Sequence, residues 1–264
     1  MRQPARVRPE WPQSINKRVV VSWFASENAR ATTLPIISKP ERVNIGYYVL
    51  MPNPWLCVPL EDYEGHMSSA SVQQLHALSA LFGEVLGRSN PASLAVVGVA
   101  GGNGLEHIDS TVTRRIVGID INPAYLDAVR HRYPILTGLE LYCADLSTQT
   151  LDCAPVELVH VALVFEHAGA GQCLDNVLNL VAPDGELSVV LQLPSSAEAG
   201  VSATPFASIQ NLAPHFQLID PAQLTETLTN RGFIRTHETT HPLTSGKSFW
   251  QVTFKRDNGP KTDN

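Results

Sequence analysis

The chain has 264 residues, 44% hydrophobic and 17% charged, with a formal net charge of −6, the composition of a globular protein. A chain of this length buries roughly three quarters of the surface it exposes when unfolded, so its core holds it without metal or disulfide staples. No apolar run approaches the about 18 residues that cross a bilayer, which excludes a transmembrane reading.

Residues 1–50 carry eight Lys or Arg against three Glu, a balance of +5, which leaves −11 on the remainder. A body that acidic repels phosphate backbones, so a small-molecule partner is expected rather than nucleic acid or membrane. The four cysteines form no CxxC pair and sit in apolar segments, as free thiols do in a reducing compartment, so a cytoplasmic location is expected and no metal site.

In chain order, residues 1–50 hold five prolines and no sustained period, which predicts a loosely ordered extension. A transit peptide, or a true start at Met51, are alternatives for it. The main domain is expected over 51–256, with a disordered tail over 257–264. From Ser71, Leu75, Leu78, Phe82, Val85 and Leu86 recur at helical spacing, and Ser71 with Gln74 predicts a capping box. Ser89-Asn90-Pro91 ends that helix. Strands are predicted over 94–99, 116–120, 139–144, 156–164 and 186–193. Between them, Leu105–Ile108 reads as a helix start, Asn122 caps and Pro123 opens a helix to about Arg132, and Leu174, Val177, Leu178 and Val181 share a helix face before the turn Pro183-Asp184-Gly185. A loose segment, 194–218, precedes a helix capped by Asp220 and two strands, 233–240 and 249–256, joined by a short turn. This alternation demands an α/β fold, a doubly wound three-layer sandwich around a mostly parallel sheet, closed by an antiparallel C-terminal hairpin.

Chemistry concentrates at strand ends. The first strand runs into Ala100-Gly101-Gly102-Asn103-Gly104, where glycines permit a tight turn and a ligand laid against bare backbone. Asp120 ends the second strand, where a carboxylate accepts from both hydroxyls of a ribose; Asn122 is the better helix cap and leaves it free. Asp145 ends the third, placed to accept from an exocyclic amine while Leu146 packs on the ring, or to cap a turn toward Ser147. Three such residues at successive strand ends form the crevice expected of this sheet.

The order Val96-Val97-Gly98-Val99-Ala100-Gly101-Gly102-Asn103-Gly104, Val117-Gly118-Ile119-Asp120-Ile121-Asn122-Pro123, Ala144-Asp145-Leu146, Val161 to His167 and Val181 to Leu187 resembles the class I S-adenosylmethionine-dependent methyltransferases. The likeness covers roughly residues 55–256 and implies a seven-stranded sheet. It implies that the glycine loop, Ala100 to Gly104, faces the methionine part of S-adenosyl-L-methionine, that Asp120 with Ile121 faces the ribose, that Asp145 and Leu146 face the adenine, and that Ala162 and Leu163 face the cofactor's other side. Two positions depart from the family pattern: its frequent acidic residue is Gly98 here, and its first loop glycine is Ala100. The segment 61–67, with Tyr63 and Met67, is the expected substitute contact from the side, or else a surface turn.

Methyl transfer needs mainly alignment of the acceptor with the methyl–sulfur bond. His167 is the expected base, where the acceptor must lose a proton, and Glu166 an acceptor-orienting group; both alternatively only shape the pocket. His160, mid-strand, reads as a core histidine. Phe206, Gln210 and His215 fall in the segment where the family builds its substrate pocket. The enzyme reading is a methyltransferase acting on a small molecule. Its alternatives are an inactive cofactor-binding module, motivated by Gly98, and a nicotinamide-dependent oxidoreductase, which would want G-x-G-x-x-G and would not predict Asp145.

Overall fold

Alternate residues of the central strands are buried on opposite sides of one sheet. Leu94 and Val96 pack with Phe82, Val85, Leu126 and Val129 on one face, while Ala95 and Val97 pack with Leu174, Val177, Leu224 and Leu228 on the other. Full burial of each of these large side chains contributes about 1.5–3 kcal/mol, which is why the strands read as unbroken apolar runs.

A computed structural model describes residues 53–195 and 200–257. The expected extension over 1–50 lies outside them, as does the expected tail beyond Asp257. The strands are β1 (Ser93–Val97), β2 (Arg115–Asp120), β3 (Leu139–Cys143), β4 (Val156–Ala162), β5 (Val181–Gln192), β6 (Phe233–Pro242) and β7 (Ser248–Arg256). They lie in the order β3-β2-β1-β4-β5-β7-β6. The first five are parallel, and β7 runs antiparallel to both β5 and β6. The helices are α1 (Leu60–Ser68), α2 (Gln74–Ser89), α3 (Pro123–Arg132), α4 (Phe165–Ala168), α5 (Gln172–Asn179), α6 (Ala207–Gln210) and α7 (Pro221–Thr229). The doubly wound sandwich with its closing hairpin is therefore the fold. The strand order reverses between β1 and β4, so a crevice opens at their carboxyl ends.

Local chemistry accounts for the boundaries. The Asn122 side chain accepts from Ala124 N and the Asp220 side chain from Ala222 N, each followed by proline at the first helical position. The capping box at Ser71 does not form. Gln73 takes a left-handed φ of 51° at the helix start, and Gln74 is buried, its amide donating to Gln192 Oε1 at 3.1 Å instead of reaching back. Leu105–His107 is one 3-10 turn rather than a helix; the chain leaves it through Asp109, whose carboxylate accepts from Thr111 N and Oγ1. The segment 61–67 belongs to α1, not to a surface turn. The turn at 183–185 is an excursion within β5, where the pairing with β4 shifts register between Val156 and Leu158.

Candidate active site

The crevice holds a cavity with about 1170 Å³ of empty space, its open mouth included, enough for a nucleoside-sized ligand and more. Its floor is the carboxyl ends of β1, β2, β3 and β4: Val97, Gly98, Ala100, Asp120, Ile121, Ala144, Asp145 and Leu146, then Ala162, Leu163 and Val164. Tyr63 and Met67 from α1 and His167 from α4 complete the part expected from sequence.

Asp120 is buried, with Oδ2 accepting from Ala100 N at 2.9 Å and Oδ1 from Asn122 N at 2.8 Å. Burial raises its pKa to about 6, against the pull of those N–H groups. Each oxygen keeps a second lone pair for a ligand hydroxyl. Asp145 caps the turn toward Ser147 and also lines the cavity. Its Oδ1 closes a turn by accepting from Ser147 N at 2.9 Å, and its Oδ2 faces Asn53 Nδ2 at 3.4 Å while the residue lines the cavity.

Of the turn expected to face the methionine part of the cofactor, Ala100 lines the cavity, while Gly101, Gly102, Asn103 and Gly104 are not among its lining residues. The turn after β1 folds behind the floor. Asn103 Nδ2 donates to Leu75 O at 2.9 Å, Arg132 Nη1 to Gly101 O at 3.1 Å and Tyr133 OH to Gly102 O at 2.8 Å, while Gly104 N donates to Glu106 Oε2 at 2.9 Å. A Cβ on Gly102 would sit 2.5 Å from the Tyr133 ring, so glycine serves close packing against α3 there. Gly98, where the family's acidic residue stands, has φ of 72°, and a Cβ would lie 2.6 Å from Val164 Cγ2. Ala100, in the family's glycine position, is itself left-handed at φ 47°.

Glu166 is also outside the cavity. It is fully buried, Oε1 accepting from Gln192 N at 2.8 Å and Oε2 having no partner among the described residues. Burial raises its pKa to about 7. It therefore holds the end of β5. His167 does line the cavity, edge-on to Trp55 (4.9 Å, 88°) and Phe216 (5.3 Å, 72°), with Nδ1 unpartnered among the described residues. Burial, then His215, lowers its pKa to about 4, so the imidazole is neutral at pH 7. His160 is a core residue, stacked on Phe82 and bonded to Ser188 Oγ at 3.1 Å.

Several lining residues carried no clear signal. Trp55 follows Pro52-Asn53-Pro54, a turn signal beside an aromatic, and Tyr125 lies one helical turn inside the cap at Asn122. Gln192 is a lone polar residue ending an apolar strand. Gln74, His66, Phe216 and Lys247 arrive from segments distant in sequence. Lys247 is buried and donates to Gly200 O at 2.8 Å and Gln192 Oε1 at 3.3 Å.

Residues 95–189 match the family model of a methyltransferase domain. The match spans 95 of the chain's 264 residues and runs from β1 into β5, the strands whose carboxyl ends form the crevice. The methyltransferase domain makes the chain an S-adenosylmethionine-dependent methyltransferase, with S-adenosyl-L-methionine as its cofactor. No curated protein matches the sequence. Among solved structures, the fold is similar to the 1,6-didemethyltoxoflavin-N1-methyltransferase of Burkholderia thailandensis, at TM-score 0.54 and 16% identity over 79% of this chain and 91% of that one. It is also similar to the magnesium protoporphyrin IX methyltransferase of Synechocystis PCC 6803, at 0.51 and 14% over 70% and 82%. A third similar structure is described as a possible exported protein from Bordetella parapertussis, at 0.52 and 17% over 69% and 67%. No helix among the described residues is long and apolar enough to cross a membrane.

Proposed function

We propose that residues 51–256 form the methyltransferase domain and that it methylates a small molecule, with the adenosine of S-adenosyl-L-methionine laid over the ends of β2 and β3. The supporting observation is one cavity that joins the carboxylates of Asp120 and Asp145 to Ala162, Leu163 and His167. In this reading Asp120 accepts from the ribose hydroxyls, and Asp145 with Leu146 recognises the adenine. When bound, the cofactor supplies a methyl group made electrophilic by its sulfonium. The protein's part is to hold the acceptor atom in line with it and to exclude water.

At the other end of the cavity, Trp55, His167, Val201, Ile209, Leu212 and Phe216 form an aromatic and aliphatic wall, which suits an acceptor with an apolar body. His167, neutral and with Nδ1 unpartnered among the described residues, is the group on this wall able to accept a proton. The free thiols Cys57, Cys143, Cys153 and Cys173 support a reducing, cytoplasmic compartment, and the acidic body supports a partner other than nucleic acid. Isothermal titration with S-adenosylhomocysteine, S-adenosylmethionine and NADH tests the cofactor assignment, the first two being expected to bind and the third not. Mass spectrometry for a labelled methyl gain, after incubation with host extract, tests the acceptor class.

A further inference from the structure

Residues 53–58 border the cavity as a short strap, with Asn53 and Trp55 among its lining residues. Its only regular structure is the 3-10 turn Pro54–Cys57. Three side-chain hydrogen bonds hold its backbone to the start of α3. Asn122 Nδ2 donates to Trp55 O at 3.0 Å and to Val58 O at 3.4 Å, and Tyr125 OH donates to Val58 O at 3.1 Å. Asn122 is nearly buried at 4% exposure. Its backbone N–H meanwhile donates to Asp120 Oδ1 at 2.8 Å, and its Oδ1 caps α3 through Ala124 N at 3.0 Å. One residue thus touches the floor carboxylate with its backbone and the strap with its side chain.

We infer that Asn122, with Tyr125, is a positioning residue that latches the strap over the adenosine half of the cavity and thereby sets the rate at which the cofactor leaves. The inference rests on the proposed placement of adenosine over Asp120 and Asp145. Its physical basis is that the strap's other ties are one 3.4 Å bond from Asn53 Nδ2 to Asp145 Oδ2, the edge contacts of Trp55 with Tyr63 and His167, and the packing of Val58. Val58 packs with Ile209 and Leu212, whereas Leu56 and Cys57 on the outer side are exposed. Hydrogen bonds from the latch therefore make up a large share of what resists opening. The same latch fixes Trp55, whose ring meets His167 at 4.9 Å, so it also places one wall of the acceptor end.

Cap and latch are carried by different atoms of Asn122 and can be separated. Asn122→Ser keeps a good helix cap but removes the amide donor. Tyr125→Phe removes only the hydroxyl. Asn122→Ala removes cap and latch together. Dissociation of labelled S-adenosylhomocysteine, chased with unlabelled ligand, is expected to be about tenfold faster in Asn122→Ser, which loses two hydrogen bonds to the strap, and several-fold faster in Tyr125→Phe, which loses one. The melting temperature of Asn122→Ser should stay within about 3 °C of wild type, while Asn122→Ala melts lower with a similar dissociation rate. Amide exchange at 55–58 in the complex should quicken in step with dissociation. Wild-type dissociation rates in both Asn122→Ser and Tyr125→Phe would overturn the inference, as would an acceleration seen only in Asn122→Ala alongside its lower melting temperature. Failure of wild type to bind S-adenosylhomocysteine would instead overturn the cofactor placement on which the inference rests.

Discussion

The floor and the roof of the cavity are built from different kinds of bond. The floor is strand ends and the turn after β1, held by backbone groups: Asp120 receives two N–H donors, and the glycine turn is tied to Leu75, Arg132, Tyr133 and Glu106. The roof is α1 and the 200–216 segment, clasped by a few side chains. Ser208 Oγ donates to Asp62 Oδ2 at 2.6 Å, His66 Nδ1 meets Thr204 Oγ1 at 2.8 Å, and Phe206 lies on Gly65. A floor of this kind opens only with the sheet, whereas the 200–216 segment leans on α1 through single side-chain contacts, so it is the cheaper of the two to displace.

The largest expected effect is on the floor. Asp120→Ala leaves the N–H groups of Ala100 and Asn122 without their acceptor, which should lower stability by about 2–4 kcal/mol in urea unfolding and weaken S-adenosylhomocysteine by about 1–3 kcal/mol in titration calorimetry. Wild-type values for both would erase the distinction drawn here. Gly98→Ala should cost about 2 kcal/mol, because it places a side chain at φ 72° and against Val164. Adding Val164→Ala should recover the contact part of that loss but not the backbone part; full recovery would show that φ contributes nothing.

Glu166 tests the acceptor end by pH. In the unfolded chain its carboxyl loses a proton near the ordinary 4.5, but in the fold it keeps it to about 7. The folded state thus binds more protons between those values, and raising the pH through that window favours unfolding. Glu166→Gln keeps an acceptor for Gln192 N and escapes this penalty. It should gain on wild type by about 3 kcal/mol between pH 4.5 and 8, measured by denaturant melts; a pH-independent difference would place the buried proton elsewhere. The smallest effects are expected in the roof. Gly65→Ala pushes only the ring end of Phe206, and Ser208→Ala removes one bond to Asp62. Each should change stability by less than about 1 kcal/mol while making 200–216 more open to protease. A loss as large as that of Asp120→Ala would make the roof as rigid as the floor.

The same division explains what was legible in the sequence. Floor residues sit at the ends of strands whose apolar runs and proline-marked helix starts are local signals, so Asp120, Asp145 and Leu146 could be placed by reading along the chain. The packing role of the turn glycines left no local trace, because the side chains they meet are distant in sequence, Tyr133 lying 31 residues from Gly102. Roof and acceptor residues come together across 138 residues for His66 and Thr204 and 146 for Asp62 and Ser208, a separation that no periodicity records. Glu166 misled for a related reason. Its position after β4 was visible, but the alternation that sends His167 into the cavity and Glu166 beneath Gln192 is set by how α4 turns after Leu163, whose φ is 57°.

The ties from Arg132 and Tyr133 to the carbonyls of Gly101 and Gly102 are made by the protein's own atoms, so the shape behind the floor is settled at folding and costs nothing more on association. Whatever settles over this turn meets a contour drawn beforehand by two side chains at the end of one helix, and affinity gained there is not spent on arranging the protein.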